Sequence, residues 1–144
     1  MFDSVLVVCA GNICRSPTGE YVLKHKLEGK NINVSSAGLT ALEGKPADPL
    51  AKQIALANGI NMDAHQGRQL TSALVAQNSV ILVMEERHLK DLHARYPEAR
   101  GKTFLLGKWI NNTEIPDPYR QSAEAFEHVY ALIESACSAW QKYL

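Results

Sequence analysis

The segment SVLVVCAGNICRSP at residues 4–17 decides the fold, because it leads from an apolar strand through a short polar loop into a helix. Residues 5–9 are apolar throughout, which is typical of a central strand buried on both faces of a parallel sheet. Ser16 and Pro17 predict a helix start, with serine as the N-cap and proline at the first helical position. The segment therefore predicts the first strand, loop and helix of an α/β protein.

Strand and helix signals alternate along the rest of the chain. Further strands are predicted at residues 33–38, 80–84 and 102–106. Helices are predicted at residues 16–27, 49–57, 85–94 and 126–140, the last from apolar residues at three- and four-residue steps. Strands that alternate with helices favour a parallel sheet with right-handed crossovers. We therefore predict a single α/β domain over residues 1–144 with a four-stranded parallel sheet.

The composition excludes several classes of function. The chain has 15 Lys and Arg against 15 Asp and Glu and no basic run, so it lacks the charge of a nucleic-acid-binding surface. Its aliphatic runs at residues 5–10 and 80–84 are far shorter than the ~20 residues that cross a bilayer, and no signal-peptide pattern is visible. Three cysteines, an odd number, fit a reducing compartment and a thiol used in chemistry. We therefore predict a cytoplasmic enzyme with no nucleic-acid partner and no direct membrane insertion.

The loop after the first strand has the residues of an oxyanion site. Cys9 ends the strand, and ligands of open parallel sheets bind beyond the carboxyl ends of strands. Gly11 and Asn12 allow the loop to curl, so that its N–H groups and the helix N-terminus can cradle an anion and stabilise a cysteine thiolate, the nucleophilic form. Arg15 can bind two oxygens of a phosphate, and Ser16 can donate to the sulfur. The other residues expected to support this phosphate-binding loop are Ala10, Ile13 and Cys14.

The alternative from spacing alone is a structural cysteine with a surface arginine, since the two residues often occur six apart by chance. The strand before the loop and the Ser16-Pro17 helix start favour the anion site. A nucleotide-binding P-loop is excluded, because Gly101-Lys102-Thr103 matches only its end and Tyr96 stands where its first glycine is required.

Residues 8–17 resemble the signature loop of the low-molecular-weight protein tyrosine phosphatases. Further similar segments are Ser36-Ala37-Gly38, His65 with Arg68-Gln69-Leu70, residues 81–84 and Asp117-Pro118-Tyr119. Residues 115–130 are similar to the bacterial branch of that family associated with capsule and exopolysaccharide production. The resemblance covers almost the whole chain and implies a three-layer α/β/α fold.

The resemblance implies a two-step hydrolysis of phosphotyrosine. Cys9 would attack phosphorus, Arg15 would hold the phosphoryl oxygens, and Asp117 would protonate the leaving group and then activate water. The family uses no metal, and the resemblance implies no cofactor. Its implied substrate is a phosphotyrosine protein, the tyrosine-rich tail of a bacterial membrane tyrosine kinase.

The resemblance also implies roles around the loop. Tyr119 would form one wall for the substrate ring, and Leu39, with Thr40 beside it, would form an aliphatic wall opposite. Ser36 would brace the loop by a hydrogen bond to Asn12. Cys14 would capture oxidised Cys9 as a reversible disulfide. An equally good interpretation is that the Cys14 thiol only packs within the loop.

Three other functions share parts of this pattern. Arsenate reductases of the same fold need two further redox cysteines after the third strand, and residues 85–100 contain none. Phosphocarrier domains with a similar loop lack the arginine and the general acid. A non-hydrolysing phosphotyrosine-binding module would have no use for a proton donor at Asp117. We therefore expect hydrolysis.

Overall fold

Four strands form one sheet in the structure, a computed structural model that describes residues 2–144. The strands are β1 (Ser4–Cys9), β2 (Asn33–Gly38), β3 (Val80–Val83) and β4 (Thr103–Leu105). All neighbouring pairs are parallel, and the order across the sheet is β2-β1-β3-β4. The predicted four-stranded parallel sheet is confirmed.

Helices cover both faces of this sheet. They are α1 (Arg15–Lys26), α2 (Pro49–Ala57), α3 (Ser72–Gln77), α4 (Glu86–Arg95) and α5 (Ala123–Gln141), with a 3₁₀ turn at Pro97–Ala99. α1, α2 and α5 share one buried apolar cluster with Val5 and Val7 of β1. α3 and α4 share a second cluster with Leu6 and Val8, because successive strand side chains point to opposite faces. The result is the expected three-layer α/β/α arrangement.

The first helix begins earlier than the sequence predicts. α1 starts at Arg15, and its N-cap residue is Cys14 rather than Ser16. Ser16 makes no capping bond because its hydroxyl is hydrogen-bonded to the side chains of Cys9 and Asn12. Asp48, by contrast, caps α2 as predicted, accepting from the N–H groups of residues 50 and 51 at 2.9 and 3.3 Å.

One helix, α3, has no counterpart among the predicted elements. It is six residues long and has a single buried residue, Val75, so it carries no periodic apolar pattern. Thr71 caps it by accepting from the Leu74 N–H at 3.2 Å. Within residues 2–144, no helix combines the length and apolarity needed to cross a membrane.

The carboxyl end of β1 lies at the point where the order in which strands are added to the sheet changes direction. The chain passes from β1 to β2 on one side and then to β3 on the other side of β1. Ligands of open parallel sheets bind at such a point. Gly38 ends β2 beside it, and a Cβ on this residue would lie 2.5 Å from the carbonyl oxygen of Ala10. Glycine therefore allows β2 to approach the loop that follows Cys9.

Candidate active site

A cavity of about 250 Å³ opens at the carboxyl end of β1. It brings together the three residues expected to be catalytic, Cys9, Arg15 and Asp117. The other lining residues are Ala10, Gly11, Ile13, Cys14, Thr40, Leu42 and Tyr119. The predicted support residues Asn12, Ser16 and Ser36 do not line the cavity; they are buried and hydrogen-bonded to one another.

The backbone carbonyl groups of residues 9–14, the loop beside this cavity, are all hydrogen-bonded. Each of the six carbonyls accepts a hydrogen bond of 2.7 to 3.1 Å from outside the loop. The donors, in order of the carbonyls, are the N–H groups of Leu39, Thr40 and Leu42, His65 Nε2, and the N–H groups of Asp48 and Thr18. Within residues 2–144, the N–H groups of residues 11–14 have no hydrogen-bond partner. They remain available to an anion.

The hydroxyl of Ser16 and the sulfur of Cys9 are hydrogen-bonded to each other. The distance from Ser16 Oγ to Cys9 Sγ is 3.0 Å. Ser16 Oγ also lies 2.7 Å from Asn12 Nδ2. Because an amide nitrogen can only donate, Ser16 accepts from Asn12, and its hydroxyl hydrogen can be donated to a sulfur that carries no proton.

Asn12 is the centre of the polar network that holds the loop. Its φ of 58° lies in the left-handed region, which asparagine tolerates better than most residues. Asn12 Nδ2 donates to Ser36 Oγ at 2.9 Å, the contact that the resemblance implied, and Ser36 donates to Glu20 Oε1 at 2.6 Å. Asn12 Oδ1 accepts from the Arg68 N–H at 2.8 Å. Both ends of the buried side chain are therefore fixed by hydrogen bonds, which brace the loop.

Arg15 is a buried cation, with a side chain only 2% exposed. Its Nη1 donates to Glu85 Oε2 at 2.5 Å and to the carbonyl of Ile115 at 2.9 Å. Its Nη2 lies 3.9 Å from Asp117 Oδ2. These partners turn the guanidinium group toward the cavity that Arg15 lines.

Glu85 is a site residue that the sequence analysis missed. It follows β3, at the same edge of the sheet as Cys9, and a carboxylate at that edge is the one signal that could have identified it. Burial disfavours its ionised form, but hydrogen bonds from Arg87 and Arg15 outweigh burial and lower the pKa of Glu85 to about 2. Nearby, burial and the charge of Arg15 lower the pKa of His88 to about 4, so its ring is neutral near pH 7.

We expect Glu85→Gln to destabilise the protein near pH 7 by about 2 kcal/mol, the usual contribution of a hydrogen bond to a charged group. The pKa of Glu85 is lower in the folded state than in the unfolded chain, where it is near 4.3. The carboxylate therefore stabilises the fold fully above about pH 5, and this stabilisation is lost as pH falls toward about 2. Urea unfolding near pH 7 and at about pH 3 measures both effects.

Glu127→Gln is the matched control for this measurement, since Glu127 is an exposed glutamate on α5. It should change stability little at either pH. A Glu85→Gln effect of equal size at both pH values would contradict the ion pair as its source.

Asp117 and Tyr119 lie in the segment before α5, and both line the cavity. Asp117 Oδ1 accepts from the Tyr119 N–H at 3.0 Å, which keeps the two side chains in a fixed turn. Tyr119 lines the cavity as expected, but Leu39 does not. Leu39 is 4% exposed and belongs to the apolar cluster under α3 and α4, because it continues from β2 with its side chain toward that face. Thr40 and Leu42 form that side of the cavity instead.

Cys14 lies in the same cavity wall as Cys9. Burial, and then the charge of Cys9, raise the pKa of Cys14 well above the usual range of a thiol. Its sulfur is therefore protonated near pH 7. Neither Cys14 nor any other residue in the range 2–144 belongs to a group of three or more His, Cys, Asp or Glu side chains placed to hold a metal ion.

Fold and site together define an α/β protein with an oxyanion-binding loop that carries a buried cysteine and a buried arginine. The chain belongs to the family of low molecular weight phosphotyrosine protein phosphatases, whose family model matches residues 4–144. The family named from the sequence is confirmed.

Similar proteins match over nearly their full lengths. The low molecular weight protein-tyrosine-phosphatase Etp of Escherichia coli strain K12 is 48% identical over 143 residues, covering 99% of this chain and 95% of that protein. The structure of Vibrio vulnificus Wzb in complex with benzylphosphonate has a TM-score of 0.96 and 54% identity, covering 100% of both chains. The YwlE arginine phosphatase from Geobacillus stearothermophilus has a TM-score of 0.91 and 30% identity, covering 98% of this chain and 92% of that chain.

Proposed function

We propose that this phosphotyrosine protein phosphatase works through a phosphocysteine intermediate on Cys9. The observation that supports the proposal most is the cavity that Cys9, Arg15 and Asp117 line together, beside a loop whose N–H groups at residues 11–14 are unpaired among the described residues. A phosphoryl group in transfer spreads its charge over three equatorial oxygens, and donors fixed in advance stabilise that charge. The braced loop and the Arg15 guanidinium are donors of this kind.

In the first step, the Cys9 thiolate attacks phosphorus and the bond from phosphorus to the tyrosine oxygen breaks. The electron pair leaves with the phenolate oxygen, which takes a proton from Asp117. Arg15 and the loop N–H groups hold the equatorial oxygens. Arg15 Nη2 lies 3.9 Å from Asp117 Oδ2, so the cation that binds the phosphoryl group is adjacent to the acid that serves the leaving group.

In the second step, water attacks the phosphorus of phosphocysteine and gives its proton to Asp117. The bond from sulfur to phosphorus breaks, and Cys9 leaves as a thiolate. Ser16 Oγ, 3.0 Å from Cys9 Sγ, donates to the departing sulfur. Inorganic phosphate is released, and Asp117 is again protonated for the next cycle.

The cavity wall suits an aryl phosphate. Leu42 and Tyr119 are 47% and 44% exposed and flank the cavity, with Ile13 in its wall. Their apolar and aromatic surfaces can pack against a phenyl ring. The side chains of Ile13 and Leu42 have no acceptor for the N–H groups of a guanidinium, so this side of the cavity fits a phenyl ring better than phosphoarginine. Benzylphosphonate, which is bound in the V. vulnificus Wzb structure, likewise joins an aromatic ring to a phosphorus oxyanion.

The protein substrate that we propose is the tyrosine-rich tail of a bacterial membrane tyrosine kinase that regulates capsule or exopolysaccharide synthesis. The similarity of residues 115–130 to that bacterial branch supports this partner. Dephosphorylation would then take place in the cytoplasm. The exposed rim at Leu42 and Tyr119 leaves room for an extended tail.

Cys14 is proposed to protect Cys9 from irreversible oxidation. A peroxide would oxidise Cys9 to a sulfenic acid, and Cys14 would displace water from it to form a disulfide that a thiol reductant reopens. The position of both sulfurs in one cavity wall supports this role. Because burial raises the pKa of Cys14, its thiol does not compete with Cys9 as the nucleophile during turnover.

The test is hydrolysis of three peptides of one sequence that carry phosphotyrosine, phosphoserine or phosphoarginine, with EDTA present. We expect kcat/KM for phosphotyrosine to exceed the others by at least about 100-fold, because only its ring fills the apolar wall. Equal or faster hydrolysis of phosphoarginine would contradict the substrate class. Loss of turnover in EDTA would contradict the cysteine mechanism.

A further inference from the structure

The N-terminus of α4 is capped by a residue from a distant part of the chain. The first N–H groups of a helix have no partner within the helix, and a side chain of the N-cap residue usually accepts from one of them. The N-cap residue of α4 is Glu85, and its side chain makes no capping bond. Its carboxylate accepts from Arg15 and Arg87 instead. Glu114 Oε2 caps the helix instead, because it accepts a hydrogen bond from the Glu86 N–H at 2.7 Å.

Glu114 also begins the segment that carries Asp117. Its neighbour Ile115 donates its N–H to the carbonyl of Met84 at 2.9 Å and accepts from Arg15 Nη1 at 2.9 Å. Pro116 follows, with a fixed φ and no N–H to donate. The cap at Glu114 and the bond from Ile115 to Met84 therefore tie the segment to the junction of β3 and α4, and the bond from Arg15 to Ile115 ties it to the start of α1.

Asp117 is held on its C-terminal side by contacts within its own turn, where Gln121 Nε2 donates to the Asp117 carbonyl at 3.0 Å. Its side chain is 46% exposed, and among the described residues its Oδ1 accepts only from the N–H of Tyr119 in the same turn. Its distance to Arg15 Nη2, 3.9 Å, is too long for a hydrogen bond. The place of the carboxyl group over the cavity thus also depends on how firmly residues 114 and 115 are held.

We propose that Glu114 is a positioning residue for Asp117, acting through the cap that it forms on α4. This inference rests on the proposed function, in which Asp117 protonates the leaving group. A proton donor contributes only when it lies within hydrogen-bond reach of the oxygen that it serves, and a shift of about 1 Å can cost about 100-fold in rate. Loss of the cap frees the Glu114 end of the segment, three residues before Asp117, and so makes the position of the Asp117 carboxyl group less well fixed.

The test compares two substrates that depend differently on the acid. Phenyl phosphate releases a phenol with a pKa near 10 and needs the proton, whereas p-nitrophenyl phosphate releases a much more stable anion. For Glu114→Ala we expect kcat/KM to fall about 10-fold with phenyl phosphate and less than about 2-fold with p-nitrophenyl phosphate. Glu114→Gln keeps an oxygen acceptor for the Glu86 N–H, so both of its kcat/KM values should stay within about 2-fold of wild type.

Thr71→Ala is the matched control, because it removes the cap of α3, a helix away from the cavity. Thr71→Ala should lower the thermal unfolding temperature about as much as Glu114→Ala does. It should leave kcat/KM unchanged for both substrates. Equal losses with the two substrates in Glu114→Ala would overturn the inference, as would a Glu114→Gln variant as impaired as Glu114→Ala, which would indicate an effect of charge.

Asp117→Asn, measured beside them, separates the inference from the proposed function. A selective loss with phenyl phosphate in Asp117→Asn, but none in Glu114→Ala, overturns the role of Glu114 alone. Equal losses with both substrates in Asp117→Asn overturn the acid role of Asp117 and this inference with it.

Discussion

Cys9→Ser lowers the turnover of p-nitrophenyl phosphate by at least about 10⁴-fold, the scale on which removal of a catalytic nucleophile acts in hydrolases. A serine hydroxyl is a poor nucleophile near pH 7 unless a base removes its proton. The hydrogen-bond partner of Cys9 is the hydroxyl of Ser16, which is no base. The assay is the initial rate with EDTA and a thiol reductant present.

Phosphate binding survives in the same variant. Arg15 and the N–H groups of residues 11–14 do not depend on the sulfur for their position, since the loop is fixed by Asn12 and by its bound carbonyls. Titration calorimetry with inorganic phosphate measures the dissociation constant of the variant and of the wild type. Turnover near the wild-type rate in a folded, phosphate-binding Cys9→Ser protein would rule out Cys9 as the nucleophile.

Cys14→Ser is the matched control, since Cys14 is the other cysteine of the cavity wall. It should retain turnover. After treatment with peroxide, a thiol reductant should restore activity to the wild type and much less to Cys14→Ser, because the variant cannot form the protecting disulfide. Equal recovery of both proteins would contradict the proposed role of Cys14.

Asp117→Asn lowers kcat/KM for phenyl phosphate by about 10²- to 10⁴-fold, the usual contribution of general acid catalysis. Asparagine has nearly the shape of aspartate, and its Oδ1 can still accept from the Tyr119 N–H, so the turn is preserved. The variant lacks the proton that the departing phenolate needs. The fall should be clearly smaller for p-nitrophenyl phosphate, whose leaving group needs less help.

The ratio of the two kcat/KM values is the measurement that decides this role. It is independent of enzyme concentration and of any uniform loss of folded protein. An unchanged ratio in Asp117→Asn would show that Asp117 acts in binding or structure and not as a proton donor.

Parts of the fold could be predicted because their signals are local. β1 and α5 have long apolar patterns with the periods of a buried strand and an amphipathic helix, and both are present as predicted. The start of α1 was predicted wrongly because a serine before proline is a typical cap. In the structure its hydroxyl serves Cys9 and Asn12, contacts that no local rule includes.

The candidate site, too, could be predicted from the sequence only where its residues lie close together in the chain. Cys9 and Arg15 lie on one short loop, so strand, loop and helix signals were enough to associate them. Asp117 could be associated with them only through the resemblance to a family, since the chain between them forms most of the sheet. The resemblance predicts a substrate wall at Leu39. The side chain of Leu39 instead points to the opposite side, because the spacing of residues after a strand does not reveal which way each side chain points. In the structure, Thr40 and Leu42 form that wall.

The sequence by itself determined the parallel α/β sheet, the oxyanion loop at the end of β1 and the cysteine and arginine within it. These depend on side-chain periodicity, turn chemistry and neighbours a few residues apart. Only the tertiary structure decided that Glu85 holds Arg15, that Glu114 caps α4, and that the carbonyls of residues 9–14 are bound from outside. Apart from the bond between Thr18 and Cys14, each of these contacts joins segments far apart in the chain, and the packing of the helices on the sheet sets which polar groups meet.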